Sequence, residues 1–166
     1  MTAPGPLPRR TTAHESMPES AGKEYAVNRT AYVTGSERGL GLALTEELVN
    51  RGYKVFAGSY LEAHVELDAL KKRHPDQLWV TPLDVTNQES VDAAAAVLRS
   101  TASKLDLLVN NAGLAVDRSK TILEPLAFED MKRIYDVNAL GPLRVTQSVL
   151  DLLMAEAAHI THKMRD

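Results

Sequence analysis

The chain has 166 residues, of which 44% are hydrophobic and 25% charged, and this is the composition of one globular domain. Its 19 Lys and Arg against 22 Asp and Glu give a formal charge of -3. That balance argues against a dedicated nucleic-acid binder, but it allows one nucleotide in a local pocket. The absence of cysteine excludes disulfides, thiolate metal sites and cysteine nucleophiles, and it fits a reducing compartment.

Residues 1–28 differ in composition from the rest of the chain. They hold four of the eight prolines and show no sustained period, so we expect a disordered N-terminal extension. The stretch lacks the apolar core of a signal peptide, and Glu15, Glu19 and Glu24 are unlike a transit peptide. No apolar run is long enough to span a bilayer. We therefore predict a cytoplasmic protein with neither a membrane nor a nucleic acid as partner.

From Thr30 onward, short apolar runs alternate with longer amphipathic segments. The runs predict buried strands at 30–35, 54–58, 78–83 and 105–110. The amphipathic segments predict helices at Leu40–Asn50, Glu62–Arg73, Asn87–Ser100 and Phe128–Ala158. Thr86 and Glu89 have the spacing of a capping box before the third helix. This alternation predicts an α/β fold with a doubly wound parallel sheet over residues 29–158, followed by a tail at 159–166.

The stretch TGSERGLG, Thr34–Gly41, follows the first predicted strand and opens the first helix. In such a turn Gly35 permits the tight exit, Gly39 lets the backbone approach a pyrophosphate, and Gly41 allows close packing of the helix on the sheet. The helix N-terminus adds free N–H groups and a partial positive charge. An ordinary strand-to-helix turn remains the alternative, but the position favours a Rossmann-like nucleotide site.

The spacing Gly-x-x-x-Gly-x-Gly resembles the classical short-chain dehydrogenase/reductase family, whose first turn is Thr-Gly-x-x-x-Gly-x-Gly. Three more segments match that family in order: Asp84-Val85, Asn110-Asn111-Ala112-Gly113 and Val137-Asn138. The similarity covers Thr30 to Ala157, and residues 117–147 look closest to the carbonyl reductase and C-factor-like branch. The resemblance implies an oxidoreductase that transfers hydride between NADP(H) and a carbonyl or alcohol.

The resemblance also implies a set of cofactor-binding residues. They are Thr34, Gly35, Ser36, Arg38, Gly39, Leu40, Gly41, Ser59, Asp84, Val85, Asn111, Ala112 and Gly113. In the family the Asp at position 84 contacts adenine, although Asp84 alone is also suited to cap the turn into the next helix. Asn110 and Asn111 are equally suited to form a turn. These positions are structural first and functional second.

Cofactor choice is predicted from two positions. Folds that prefer NAD place an acidic residue at the end of the second strand, and here Ser59 occupies that position. Arg38 is placed to pair with a 2′-phosphate, although it is also compatible with a solvated loop charge. NADP is therefore the predicted cofactor, with NAD possible.

Asn138 is the one member of the family's catalytic set in this chain, and the resemblance gives it the role of holding a proton-relaying water. Pro142 lacks an N–H, so the carbonyl of Asn138, four residues earlier, loses its helical partner. A kink there suits a bound water. A helix bent by Gly141 and Pro142 for packing alone is the alternative.

The family's chemistry also needs a Ser and a Tyr-x-x-x-Lys pair, in which a tuned phenol acts as general acid. Four residues after the five tyrosines lie Arg29, Ser36, Ala57, His64 and Ala139, so no such pair is present. We expect a truncated reductase, about four strands in order 3-2-1-4, that binds the cofactor but is inactive alone. A non-catalytic dimerisation or regulatory module and an unstable fragment are the alternatives.

Truncation has packing consequences. The strand at 105–110 becomes an open edge, which invites self-pairing. Ile134, Leu143, Val149 and Leu153 on the long helix would lack packing partners, and a homo-oligomer through residues 128–158 would supply them. His159 and His162 have helical spacing for a metal pair, but two lone histidines near a terminus predict no metal site.

Overall fold

The computed structural model describes residues 29–115 and 125–155, in which strands and helices alternate. The elements are β1 (Thr30–Thr34), α1 (Gly39–Asn50), β2 (Lys54–Ser59), α2 (Val65–Arg73), β3 (Leu78–Pro82), α3 (Gln88–Thr101), β4 (Leu107–Val109), α4 (Phe128–Tyr135), a π-helical turn (Asp136–Leu140) and α5 (Gly141–Ser148). Residues 150–155 are again helical. The predicted extension 1–28, the tail 159–166 and the pair His159 and His162 lie outside the described residues.

The four strands form one parallel sheet in the order β3-β2-β1-β4, which confirms the predicted α/β architecture. β1 is buried along its whole length, as its apolar run predicted. α1 ends where Gly52 takes a left-handed conformation (φ 84), and the Gly52 N–H donates to the carbonyl of Val49 (2.9 Å). That turn returns the chain to the start of β2.

The sheet buries one core on each face because side chains alternate along every strand. Ala31, Val55 and Leu78 are paired in register and pack beneath α1 and α2. Tyr32 and Phe56 face the opposite side, where they pack against α3 and α5. Trp79 continues that row, with its ring stacked on Phe56 at a centroid distance of 5.1 Å.

The sheet is open at β4. All three residues of this strand are partly exposed, whereas β1 beside it is buried. Within residues 29–115 and 125–155, no strand lies beyond β4. The strand covers 107–109 instead of the predicted 105–110, because Leu105 leaves the sheet and its N–H donates to the carbonyl of Leu152 (3.0 Å).

The predicted capping box at Thr86 and Glu89 is wrong. The N-cap of α3 is Asn87, whose Oδ1 accepts the N–H of Ser90 (3.1 Å). The hydroxyl and the N–H of Thr86 instead donate to Oδ1 of Asp84 (2.7 and 2.9 Å). Asp84 therefore closes the turn and moves the cap one residue along the chain.

The predicted single helix from Phe128 is interrupted. After α4 the backbone widens into the π-helical turn, and the N–H of Gly141 donates to the carbonyl of Asp136, five residues earlier. The turn precedes Pro142, which has no N–H to continue the ordinary ladder. A Cβ on Gly141 would lie 2.8 Å from Cγ2 of Val85, so the glycine lets this turn pack closely against the segment after β3.

The prediction that Val149 and Leu153 lack packing partners is also wrong. Val149 is completely buried in the core beneath α3, and Leu153 packs against the same cluster. α3 covers this face, and Arg99 on α3 forms an ion pair with Asp151 (2.9 Å). Leu143 does remain 66% exposed, as predicted.

Candidate functional site

A cleft of about 500 Å³ lies at the carboxyl ends of the four strands, which is where ligands bind in open α/β sheets. Its walls come from the β1–α1 turn, the segments after β2, β3 and β4, and the helix after residue 128. The lining residues are Gly35, Glu37, Arg38, Gly39, Leu40, Gly41, Tyr60, Leu61, Leu83, Asp84, Val85, Thr86, Asn111, Ala112, Gly113, Leu114, Arg133 and Val137.

The three glycines of the β1–α1 turn have different physical roles. A Cβ on Gly35 (φ +66) would lie 2.8 Å from Cα of Ala112, and one on Gly41 would lie 1.9 Å from the carbonyl oxygen of Gly35. Both glycines therefore permit backbone contacts inside the protein. Gly39 also has a positive φ (+55), but a Cβ there would meet nothing within 4 Å. Gly39 thus leaves open space at the N-terminus of α1, on the cleft wall.

Thr34 and Asn111 hold this turn against the end of β4. The Thr34 hydroxyl oxygen accepts the N–H groups of Asn111 and Ala112 (both 3.0 Å). The Asn111 amide donates to the carbonyls of Thr34 (3.0 Å) and Gly35 (2.9 Å). Asn111 and Ala112 line the cleft, whereas Thr34 is buried behind it.

Ser36 and Ser59, both predicted to bind the cofactor, are buried and do not line the cleft. The Ser36 hydroxyl donates to the carbonyl of Val33 (2.8 Å), and the Ser59 hydroxyl donates to the carbonyl of Leu61 (3.0 Å). After β2, the residues that face the cleft are Tyr60 and Leu61, which are 58% and 42% exposed. The sequence could have indicated these two lining residues only by their position directly after Ser59.

Asp84 and Val85 line the cleft as predicted, and Asp84 also closes the turn before α3 through Thr86. Its N–H donates to the hydroxyl of Ser90 (2.9 Å). The turn-forming alternative is therefore realised in the structure. Contact of Asp84 with an adenine ring stays a prediction.

Asn138 does not line the cleft, but it is hydrogen-bonded to Leu114, which does. Its Oδ1 accepts the N–H of Leu114, and its Nδ2 donates to the carbonyl of the same residue, both at 2.8 Å. This pair of bonds joins the π-helical turn to the segment after β4. Asn138 therefore fixes Leu114, which is a lining residue that the sequence analysis did not single out.

Four charged side chains line the cleft, namely Glu37, Arg38, Asp84 and Arg133. Arg38 and Arg133 line it, and neither forms a hydrogen bond or ion pair with another described residue. Glu37 also lines it, and one carboxylate oxygen, Oε2, is buried without a hydrogen-bond partner among the described residues. The sequence analysis missed Glu37 and Arg133. Glu37 lies inside the glycine motif, and Arg133 lies one helical turn before Val137.

The part of the chain that the structure describes holds neither a candidate metal site nor a candidate membrane span. No group of three or more His, Cys, Asp or Glu side chains is placed to hold a metal ion there. The described helices are also all too short or too polar to cross a membrane.

The family model described as short chain dehydrogenase matches residues 29–161. The chain belongs to the short-chain dehydrogenase family. Retinol dehydrogenase 7 of Mus musculus is 37% identical over 128 residues, covering 76% of this chain and 39% of the relative. The NADP-dependent 3-hydroxy acid dehydrogenase YdfG of Escherichia coli is 34% identical, covering 71% and 46%. The chain thus spans less than half the length of these curated relatives.

Solved structures of reductases share the fold of this chain. NADPH-bound carbonyl reductase from chicken fatty liver superimposes with a TM-score of 0.67 at 36% identity, covering 76% of this chain and 52% of that one. L-Sorbose reductase from Gluconobacter frateurii, complexed with NADPH and L-sorbose, gives 0.69 at 26% identity, covering 79% and 49%. The described residues are the NAD(P)-binding part of the short-chain dehydrogenase fold.

The chemistry of the cleft fits a nicotinamide dinucleotide. The open space at Gly39 admits a group against the backbone at the start of α1, where N–H groups are free to bind phosphate. Arg38 adds a cation at the same turn. The exposed side chains of Tyr60 and Leu61 add apolar surface for a ring.

Proposed function

We propose that the cleft binds NADP(H) and that the chain is the cofactor-binding part of an oxidoreductase acting on a carbonyl or alcohol. The observation that carries this proposal is the open space at Gly39 beside the guanidinium of Arg38, which has no partner among the described residues, at the N-terminus of α1. A phosphate-bearing ligand is the natural complement of such a turn. The NADPH-bound carbonyl reductase and L-sorbose reductase, which share this fold, support the choice of cofactor.

Each wall of the cleft has a part in this proposal. The backbone at Gly39 and Leu40 holds the pyrophosphate, and Arg38 pairs with the 2′-phosphate. Asp84 and Val85 border the adenine, while Asn111, Ala112 and Gly113 form the floor beside it. Thr34 and Ser36 do not contact the cofactor, and their hydrogen bonds stabilise the β1–α1 turn. When bound, the nicotinamide supplies or accepts a hydride.

The 166 residues do not contain the general acid that this chemistry requires. No tyrosine is followed four residues later by lysine, and the free phenol pKa of about 10 is too high for efficient proton donation at neutral pH. We therefore propose that this chain alone binds the dinucleotide without turning over a carbonyl substrate. Asn138 keeps its predicted role at a proton-relaying water as a proposal.

Isothermal titration calorimetry of the purified chain with NADPH, and separately with NADH, tests this function. We expect saturable NADPH binding that Gly39→Val abolishes, because a branched side chain would fill the open space and cannot easily adopt a positive φ. We also expect Arg38→Ala to weaken NADPH about tenfold or more and NADH much less.

Arg51→Ala is the matched control, because it removes an arginine from the other end of the same helix, where Arg51 forms an ion pair with Glu47 and does not line the cleft. Circular dichroism of each variant must show native helix content. Absence of dinucleotide binding by the folded wild-type chain would refute the proposal. A clear NADH preference would refute the assignment of Arg38.

Self-association is a second candidate function, and the exposed apolar side chains after residue 127 favour it. Those more than 40% exposed are Phe128, Met131, Tyr135, Leu143, Leu150 and Met154. Loss of solvent from such a surface is favourable. A homo-oligomer through this helical segment is therefore proposed beside cofactor binding. A cytoplasmic location also remains a proposal, which the cysteine-free composition supports.

A further inference from the structure

The segment after β3, residues 83–87, carries two lining residues of the cleft, Asp84 and Val85, outside the strand itself. β3 ends one residue before Leu83, whose N–H still donates to the carbonyl of Ser59 on β2 (2.7 Å). Beyond that point the backbone is bonded to helices. The N–H of Asp84 donates to the hydroxyl of Ser90 in the first turn of α3 (2.9 Å). Side-chain bonds therefore fix this wall of the cleft.

The carbonyl of Val85 is held by a second helix, through Arg144 on α5. Nη1 of Arg144 donates to that carbonyl oxygen (3.3 Å) and lies 2.7 Å from Oδ1 of Asp136, with which it forms an ion pair. One guanidinium nitrogen thus joins α5, the π-helical turn and the segment after β3. Gly141 adds close packing of the same turn against Val85, since a Cβ there would lie 2.8 Å from Cγ2 of Val85.

The ion pair depends on the π-helical turn that separates its partners. In an uninterrupted α-helix, side chains eight residues apart point in directions that differ by about 80°. The wide turn at Asp136–Leu140 holds one extra residue, which reduces the difference to about 20°. Helical side chains tilt toward the N-terminus, so Arg144 can reach back to Asp136. The π-helical turn therefore aligns the two charges on one face of the helix.

Val85 lines the cleft, whereas Arg144 and Asp136 do not. A ligand in the cleft therefore meets Val85 and not the charged pair. Without Arg144, the carbonyl of the buried Val85 would lose a donor, and a buried acceptor left without one is unfavourable. The segment would then shift toward water, and Asp84, which precedes Val85 on the same wall, would move with it.

We propose that Arg144 is a positioning residue of the cleft. Held by Asp136, it fixes the wall at Asp84 and Val85 against which the adenosine part of a dinucleotide binds, and it does so without touching the ligand. This inference rests on the proposed dinucleotide function of the cleft. It adds that the affinity for the adenosine part depends on a charge pair outside the cleft.

Calorimetric titration with NADPH, and separately with adenosine 2′,5′-bisphosphate, which lacks the nicotinamide half, tests the inference. We expect Arg144→Ala to weaken both ligands by the same factor, about five- to tenfold, which is the usual effect of one lost hydrogen bond. Arg144→Lys keeps a cation with several donors for the same two acceptors. It should therefore bind both ligands more tightly than Arg144→Ala does.

Asp136→Asn removes the charge that holds Arg144 and keeps the size of the side chain. It should weaken both ligands about threefold. Added to Arg144→Ala, it should change either affinity by less than about twofold, because residues that act as one unit are not additive. Asp136→Asn and Arg144→Lys also carry the test if Arg144→Ala does not fold.

Arg99→Ala is the matched control, because Arg99 likewise donates to a carboxylate and to a backbone carbonyl, those of Asp151 and Ser148, but does not line the cleft. It should leave both affinities within about twofold of wild type. Circular dichroism of each variant must show native helix content.

Four outcomes would overturn the role of Arg144 and leave the proposed function standing. They are unchanged affinities in folded Arg144→Ala, an equal loss in Arg99→Ala, no recovery in Arg144→Lys, and additive effects of the two substitutions at 136 and 144. A loss confined to NADPH, or a wild type that binds NADPH but not the bisphosphate, would also overturn it, since the effect would then lie outside the adenosine part. Failure of the folded wild type to bind NADPH would overturn both proposals.

Discussion

Gly41 shows how one missing side chain joins three segments of this protein. A Cβ at this position would lie 1.9 Å from the carbonyl oxygen of Gly35 and 2.5 Å from Nδ2 of Asn111. Both atoms belong to the hydrogen-bonded junction of β1, α1 and the end of β4. Any residue other than glycine must separate the helix from that junction, so Gly41 serves the fold before it serves a ligand.

Alanine should therefore destabilise the protein more at position 41 than at position 39. We expect Gly41→Ala to lower the free energy of unfolding by about 3 kcal/mol, the upper end of ordinary overpacking costs. Gly39→Ala should cost only about 1–2 kcal/mol, because its Cβ enters open space and only the positive φ is unfavourable. Urea denaturation followed by circular dichroism measures both values, and equal losses would contradict this division of roles.

Ser59 shows why residue type alone did not identify the cleft residues. The sequence correctly indicated that no acid stands at the end of β2. It did not indicate that the Ser59 side chain is buried and donates to Leu61, which leaves Tyr60 and Leu61 to face the cleft. The direction of a side chain at a strand end depends on the turn that follows, and that turn has no sequence signature here.

At the scale of elements, an ion pair and hydrogen bonds join α3 to the helical segment after residue 140. Arg99 donates two hydrogen bonds to the carboxylate of Asp151 (3.0 and 2.9 Å) and a third to the carbonyl of Ser148. Hydrogen bonding from Arg99 lowers the pKa of Asp151, and the attraction of the two charges acts in the same direction. The pair is exposed, with 43% and 59% of the two side chains accessible, so its contribution stays below about 1 kcal/mol.

The stabilisation from this pair should depend on pH in a defined direction. A carboxyl whose pKa is lower in the folded state stabilises the protein above its unfolded pKa, and the effect disappears as the pH falls through the folded value. The ordinary pKa of an aspartate side chain is 3.8 and that of Asp151 is lower, so the loss should occur below that pH. A double-mutant cycle of Arg99→Ala and Asp151→Ala at neutral and at strongly acidic pH measures it. Coupling that persists after Asp151 is protonated, or that resists high salt, would contradict the assignment.

The elements themselves were largely predictable, because buried parallel strands and amphipathic helices leave strong periodic signals. The strand order and the fold class were confirmed. The errors fell where two groups compete for one position. Thr86 donates to Asp84, and the N-cap of α3 is Asn87. Val149, on the helical segment after residue 140, packs in the core beneath α3. Such competition is decided by packing between elements, which no local pattern records.

At the scale of the whole molecule, the described residues offer two places for association, the edge of β4 and the exposed apolar side chains between Phe128 and Met154. Leu143 is one of these side chains, is 66% exposed and contributes little to the core. We expect Leu143→Glu to lower the self-association constant about tenfold or more while leaving the free energy of unfolding of the monomer within about 0.5 kcal/mol.

Sedimentation velocity over a concentration series, with chemical denaturation beside it, measures both quantities. Glu129→Ala is a suitable control, because it changes a charge on the same segment, where Glu129 forms an ion pair with the exposed Lys132. Association that is unaffected by Leu143→Glu would assign the contact to the β4 edge instead. A wild-type chain that stays monomeric at all concentrations would remove the second candidate function.

The row of rings across the sheet gives this protein an optical reporter of its own. Trp79 is the only tryptophan in the chain, and its indole is stacked on Phe56 while the ammonium of Lys71 lies 5.4 Å from its ring centroid. The emission of that single indole should therefore change when β2 and β3 separate. Reduced nicotinamide absorbs light in the range where indole emits, so a bound reduced dinucleotide should also quench the same signal by energy transfer. One unlabelled chain can thus report both its unfolding and its cofactor occupancy in a cuvette.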